Sequence, residues 1–88
     1  MTVRALFFAH FQDVVGARER DLSLPASADV RELARELTAL YPRLGDLLQH
    51  GRVAVNAEFA DAATPLRDGD EVAFMPPMSG GSGTGEAP

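Results

Sequence analysis

The sequence predicts an α+β fold in which a mixed sheet of about four to five strands is crossed by one main helix. Three observations carry that prediction. Apolar, β-rich segments stand near both ends of the chain, at residues 3–8 and 71–75. Between them, residues 30–41 place apolar side chains at the spacing of a helix, whereas the flanking segments alternate with the period of a strand. Glycine, proline and Asp-Gly clusters punctuate the chain between these segments, where a compact fold needs turns.

Taken in order, residues 3–8 (Val-Arg-Ala-Leu-Phe-Phe) put Val3, Ala5 and Phe7 on one face and Leu6 and Phe8 on the other. A strand with apolar bulk on both faces belongs in the middle of a sheet. Residues 19–24 alternate with Leu22 and Leu24 on one side only, so they read as a half-exposed partner strand reached through a loop around Gly16. Pro25 breaks that strand. Ser27 is the expected N-cap of the next helix, with Asp29 near its positive end. Val30, Leu33, Leu37 and Leu40 then form an apolar stripe opposite Arg31, Glu32, Arg35 and Glu36, and Pro42 stops the helix. Leu44, Leu47 and Leu48 predict a short second helical turn closed by Gly51. Residues 53–59 read as a strand, a tight turn at Asn56 and a short return strand, since Asn tolerates positive φ. Asp68-Gly69-Asp70 signals a turn before the last strand; it lacks the twelve-residue ligand spacing of a calcium loop.

One helix of this length covers one face of the sheet. Apolar residues on the other face are then exposed in the free domain, and a contiguous exposed patch marks a partner site. Phe8, Phe59 and Met75 are the candidates.

Composition narrows the function. A chain of 88 residues makes one domain and buries only roughly 60 to 65% of its unfolded surface, so the core is small. With no cysteine there is no disulfide framework, thiolate nucleophile or cysteine-type zinc site, which suits a reducing cytoplasm. No apolar run approaches the length of a membrane span and no targeting segment is evident, so the expectation is a soluble cytoplasmic protein without membrane contact. The net charge of −5 argues against nucleic acid, whose phosphates need a cationic footprint. All 8 basic residues are arginines, so a ubiquitin-like tag of this sequence could not build chains through its own lysines. His10 and His50 sit in loop-like surroundings without ligand spacing, and no serine has the glycine-elbow context of a nucleophile. Gly80-Gly81-Ser82-Gly83 lacks the Lys-Ser/Thr pair of a phosphate loop. No metal or bound cofactor is expected, and whatever chemistry occurs acts on this protein or uses another protein's residues.

The remaining signal is Pro76-Pro77-Met78-Ser79-Gly80-Gly81. Two prolines forbid further strand pairing, and two glycines leave a main chain that can pass where no Cβ fits. A Gly-Gly pair in isolation also suits a plain flexible linker. Context favours the narrow leash. Leu6-Phe7-Phe8-Ala9, Val14-Val15-Gly16, Val55-Asn56 and the run from Asp68-Gly69-Asp70-Glu71-Val72-Ala73-Phe74 into Pro76-Pro77-Met78-Ser79-Gly80-Gly81 occur in this order. Together they resemble the MoaD/ThiS family of ubiquitin-like, β-grasp sulfur carriers, on the MoaD side of that family. The likeness spans residues 1–81, leaving residues 82–88 as a disordered extension.

The resemblance implies a sulfur carrier acting as the small, non-catalytic subunit of molybdopterin synthase. An adenylyltransferase related to the ubiquitin-activating enzymes would adenylate the Gly81 carboxylate with ATP, and sulfur would displace AMP to leave a thiocarboxylate. A MoaE-like large subunit would accept the tail, made by Pro76, Pro77, Ser79 and Gly80, and move the sulfur onto cyclic pyranopterin monophosphate in molybdenum cofactor biosynthesis. Phe8, Phe59 and Met75 match the family's docking surface. One departure stands out: the family ends at the second glycine, whereas here Ser82 to Pro88 follow. A precursor cut after Gly81 by a protease, a linker left from a fusion, and a relative that has lost carrier chemistry all fit that tail. A ubiquitin-like modifier conjugated through Gly81 and an interaction module without acyl chemistry are the competing functions.

Overall fold

The computed structural model describes residues 1–77. Strand β1 (Thr2–Phe7) buries Val3, Ala5 and Phe7 and turns Thr2 and Arg4 to solvent, as its alternation predicts. It pairs antiparallel with β2 (Glu19–Ser23), Val3 facing Leu22.

Between them lies the main departure from the sequence reading. Residues 10–15 are helical (α1, His10–Val15) where a loop was expected. Its N-cap, Ala9, makes no side-chain hydrogen bond, and six residues are too few for a helical period to be visible. Tertiary packing holds α1 in place: Phe11 and Val15, four residues apart and so on one helix face, are both buried. Gly16 ends α1 at φ 80, a left-handed cap that glycine adopts without the Cβ penalty. His10 therefore begins a helix and does not sit in a loop.

The main helix, α2 (Val30–Leu40), buries Val30, Leu33 and Leu37. Its N-cap is Asp29 and not Ser27: the Asp29 carboxylate accepts from the Glu32 N–H at 2.9 Å. Leu40 also departs from expectation, being 56% exposed at the end of the stripe. Tyr41 caps the helix by donating its N–H to Leu37 O at 2.7 Å, and Pro42 follows. Helix α3 (Leu44–His50) buries Leu44 and ends with His50, whose Nδ1 lies 3.0 Å from Asp46 O. Gly51 stands where no other residue fits, because a Cβ there would lie 2.7 Å from Phe11 Cζ and 2.8 Å from the carbonyl oxygens of Leu47 and Met75.

Strands β3 (Arg52–Val55) and β4 (Glu58–Ala60) form a hairpin through Asn56 and Ala57, both at positive φ. The turn expected at Asp68-Gly69-Asp70 leads into β5 (Glu71–Met75). Its carboxylates tie the chain together: Asp68 Oδ1 accepts from Thr2 N–H at 2.7 Å, Asp70 Oδ2 from Arg67 N–H at 2.8 Å, and Asp70 Oδ1 from Asn56 Nδ2 at 2.9 Å.

The five strands form one mixed sheet in the order β2-β1-β5-β3-β4, with β1 and β5 parallel and the other neighbours antiparallel. The most apolar strands are thus central. Val3, Ala5, Phe7, Val72 and Phe74 share one core with Phe11, Val15, Leu33, Leu37 and Leu44, so all three helices bury their apolar faces against the same side of the sheet. Phe74 stacks on Phe7 with ring centroids 6.0 Å apart and lies 6.2 Å from Phe11. The opposite side of the sheet carries no helix among the described residues.

Candidate functional site

The uncovered face can be read row by row from the strand register, because directly paired residues point to the same side. One row runs Asp21, Arg4, Glu71 across β2, β1 and β5. The next runs Glu19, Leu6, Ala73, Ala54, Phe59 across all five strands. The last places Met75 opposite Arg52, with Phe8 just past the end of β1, its N–H bonded to Phe74 O at 3.1 Å. The face therefore grades from charged at the start of β1 and β5 to apolar at their ends. Small Ala54 and Ala73 leave its centre flat.

The charged end is internally neutralised. Arg4 Nε lies 3.2 Å from Asp21 Oδ1 and Arg4 Nη1 3.9 Å from Glu19 Oε1. The hydrogen bond that Arg4 donates to Asp21, then the charges of Glu19 and Asp21, hold the guanidinium above its already high ordinary pKa, so it is a cation at any physiological pH. At the apolar end Phe8 is 49% and Phe59 60% exposed, while Met75 is half-buried. Large side chains this open carry little of the folding energy and are free to be covered by another molecule.

The same end of the sheet launches the C-terminal segment. Pro76 and Pro77 follow β5 directly and line a cleft of about 200 Å³ with His10, Phe11, Asp46, Leu47 and His50, so the root of the tail rests on α1 and α3. Ser79, Gly80 and Gly81 lie outside the described residues, as does the extension at residues 82–88. Of the candidates named from sequence, Phe8, Phe59 and Met75 share the uncovered face, whereas Pro76 and Pro77 follow Met75 in the chain and rest against α1 and α3. Leu6, Ala54, Ala73 and Arg52 complete the face but were not named as candidates. Alternation already put Leu6 on the side of Phe8; the others need the pairing of β3 with β4 and β5.

Among the described residues no three His, Asp or Glu side chains stand close enough to hold a metal ion. His10 and His50 are exposed, with His10 Nδ1 3.6 Å from Asp13. No described helix is long and apolar enough to cross a membrane.

Comparison with known proteins gives this geometry a context. The sequence profile of the ThiS family matches residues 5–81 and so ends on the second glycine. The molybdopterin synthase sulfur carrier subunit of Mycobacterium tuberculosis is 38% identical over 80 residues, covering 90% of this chain and 96% of that one. Among solved structures, small archaeal modifier protein 1 of Haloferax volcanii superposes with a TM-score of 0.78 at 27% identity, covering 88% of this chain and 98% of that one. A complex of subunits 1 and 2 of the molybdopterin-converting factor of Helicobacter pylori matches with a TM-score of 0.66 at 27% identity, over 91% of this chain and 99% of that one. The fold is the ubiquitin-like β-grasp of these neighbours.

Proposed function

The chain belongs to the ThiS family, and from that membership we propose that it is the sulfur carrier subunit of a molybdopterin synthase, working through the end of its own main chain at Gly81. The observation that carries this is that β5, whose Met75 lies in the apolar half of the uncovered face, runs directly into Pro76-Pro77 in a sequence that the family match follows as far as Gly81. The apolar end of the face and the root of the C-terminal segment thus stand at the same end of β5. The Helicobacter pylori neighbour, solved with its subunit 2, supports a large-subunit partner for that surface.

The chemistry follows from what a carboxylate can and cannot do. Its oxygen is a poor leaving group, so an activating adenylyltransferase first joins the Gly81 carboxylate to ATP, releasing pyrophosphate and leaving an acyl-adenylate. A sulfur nucleophile then displaces AMP and gives the thiocarboxylate. When the sulfur moves to cyclic pyranopterin monophosphate, the acyl carbon–sulfur bond breaks and water supplies the replacement oxygen, which restores the carboxylate for another cycle. Enclosure of the tail by the large subunit keeps water from the thioacid until that step. Residues 82–88 must be removed first, by a protease acting after Gly81 in the cytoplasm, because an internal glycine has no carboxylate.

Reconstitution tests the proposal. The chain ending at Gly81, supplied with an activating enzyme, ATP and a sulfur source, should gain a thiocarboxylate and, with the large subunit, convert the pterin to its dithiolene. The full chain should do neither. If both forms work equally, the free carboxylate is not the reactive group. A second reading, a protein modifier joined to lysines through Gly81, is favoured by the likeness to the archaeal modifier; higher-mass conjugates on a blot of native lysate would support it.

Phe8→Asp and Phe59→Asp should each weaken large-subunit binding by more than ~1 kcal/mol while leaving the melting temperature of the free domain close to wild type. A steep drop in melting temperature would instead make these residues part of the core.

A further inference from the structure

We infer that the partner surface seated on the uncovered face presents a carboxylate to Arg52, and that this pairing selects the partner. The inference rests on the docking reading above and deepens it.

Arg52 stands in the apolar end of the face, opposite Met75, and its guanidinium carbon lies 4.4 Å from the centroid of the Phe59 ring. Stacking on an aromatic face uses the plane of the guanidinium and leaves its N–H donors pointing outward. None of the ion pairs among the described residues includes Arg52: they join Arg4 to Glu19 and Asp21, Arg35 to Glu32, and His10 to Asp13. Arg52 is exposed, so in the free domain those donors are open to water.

Docking removes that water. A guanidinium cannot shed its proton to become neutral, so a partner that covers Phe59 and Met75 with apolar surface must also satisfy Arg52 or leave a buried, unpaired charge. A carboxylate matches the forked donors two at a time. The other cation on this face, Arg4, already has its carboxylates and offers a partner little. Because the chain carries a net charge of −5, it attracts no acidic partner as a whole. An acid at the Arg52 position is therefore recognised locally, and an apolar surface without one is rejected.

The test uses the full chain and the large subunit, with dissociation constants measured by titration calorimetry at about 50 mM and about 500 mM salt. Arg52→Met keeps a flexible stem beside Phe59 and removes the charge; Arg52→Glu reverses it. At low salt we expect Arg52→Met to bind about tenfold more weakly than wild type and Arg52→Glu more weakly still. Rising salt should weaken wild type and leave Arg52→Met nearly unchanged, with all three melting alike. Equal or tighter binding by Arg52→Met, with the wild-type salt dependence, overturns the inference while leaving the docking reading intact. If wild type does not bind the large subunit at all, both fall. A wild-type dimer seen in sedimentation and dissolved by Arg52→Glu also overturns the inference, because it assigns the face to a second copy of the chain.

Discussion

Gly81→Val in the chain ending at residue 81 is expected to abolish sulfur transfer by the assembled synthase while the free domain melts as wild type does. The two halves of this result have separate causes. Every buried side chain of the described core, from Val3 to Phe74, lies before Pro76, so a change at residue 81 removes no core contact. The end of the chain is different, because on the proposed mechanism it has to enter a site that encloses main chain on all sides. A branched Cβ there displaces the acyl carbon, and a misplacement of about 1 Å costs on the order of 100-fold in rate. Measuring pterin conversion and thermal unfolding on the same preparations separates the two halves. Wild-type turnover by Gly81→Val would remove the argument that slenderness is the reason for the glycine pair.

Phe74→Ala should act in the opposite way, through the fold. Phe74 is 2% exposed in the central strand, stacks on Phe7 and abuts Phe11, and so joins β1, β5 and α1. Truncating such a ring costs about 3–5 kcal/mol, from lost burial and the cavity left behind. In a small domain each kcal/mol lowers the melting temperature by roughly 4–8 °C, so a fall of more than about 12 °C is expected. The fold, and partner binding with it, would then fail at temperatures where Phe8→Asp loses binding but stays folded. A loss under about 1 kcal/mol in denaturant titration would contradict the placement of Phe74 at the junction of sheet and helices.

How much of this was legible in the sequence varied with the length over which a pattern could repeat. β5 and α2 were readable because five alternating residues and about three turns of helix each leave a repeated signal. The turn at Asp68-Gly69-Asp70 was readable from its chemistry alone. Helix α1 was not, since six residues including Val14-Val15 and lacking a side-chain cap look no different from a loop. Its one clue is Phe11 and Val15 at helical spacing just before Gly16. At the start of α2, Ser27 competed with Asp29 for the cap; the position of Glu32 three residues after Asp29 is the signal that favoured the true one. Leu40 continued a helical stripe that the fold no longer had core to cover.

The candidate site divided in the same manner. That one face of the sheet would stay open followed from counting helices, and Phe8 and Phe59 are exposed there as expected. Met75 is on that face but half-buried, beside Arg52. Arg52 itself carried no signal in the sequence, because its place over Phe59 depends on the register of a hairpin against β5.

Intact mass spectrometry of the protein purified from its native cell reads the reactive group itself. The expected result is a chain that ends at Gly81, with a fraction of molecules in which one carboxylate oxygen has been exchanged for sulfur. A population retaining Pro88 throughout, in cells that still make the cofactor, would contradict it.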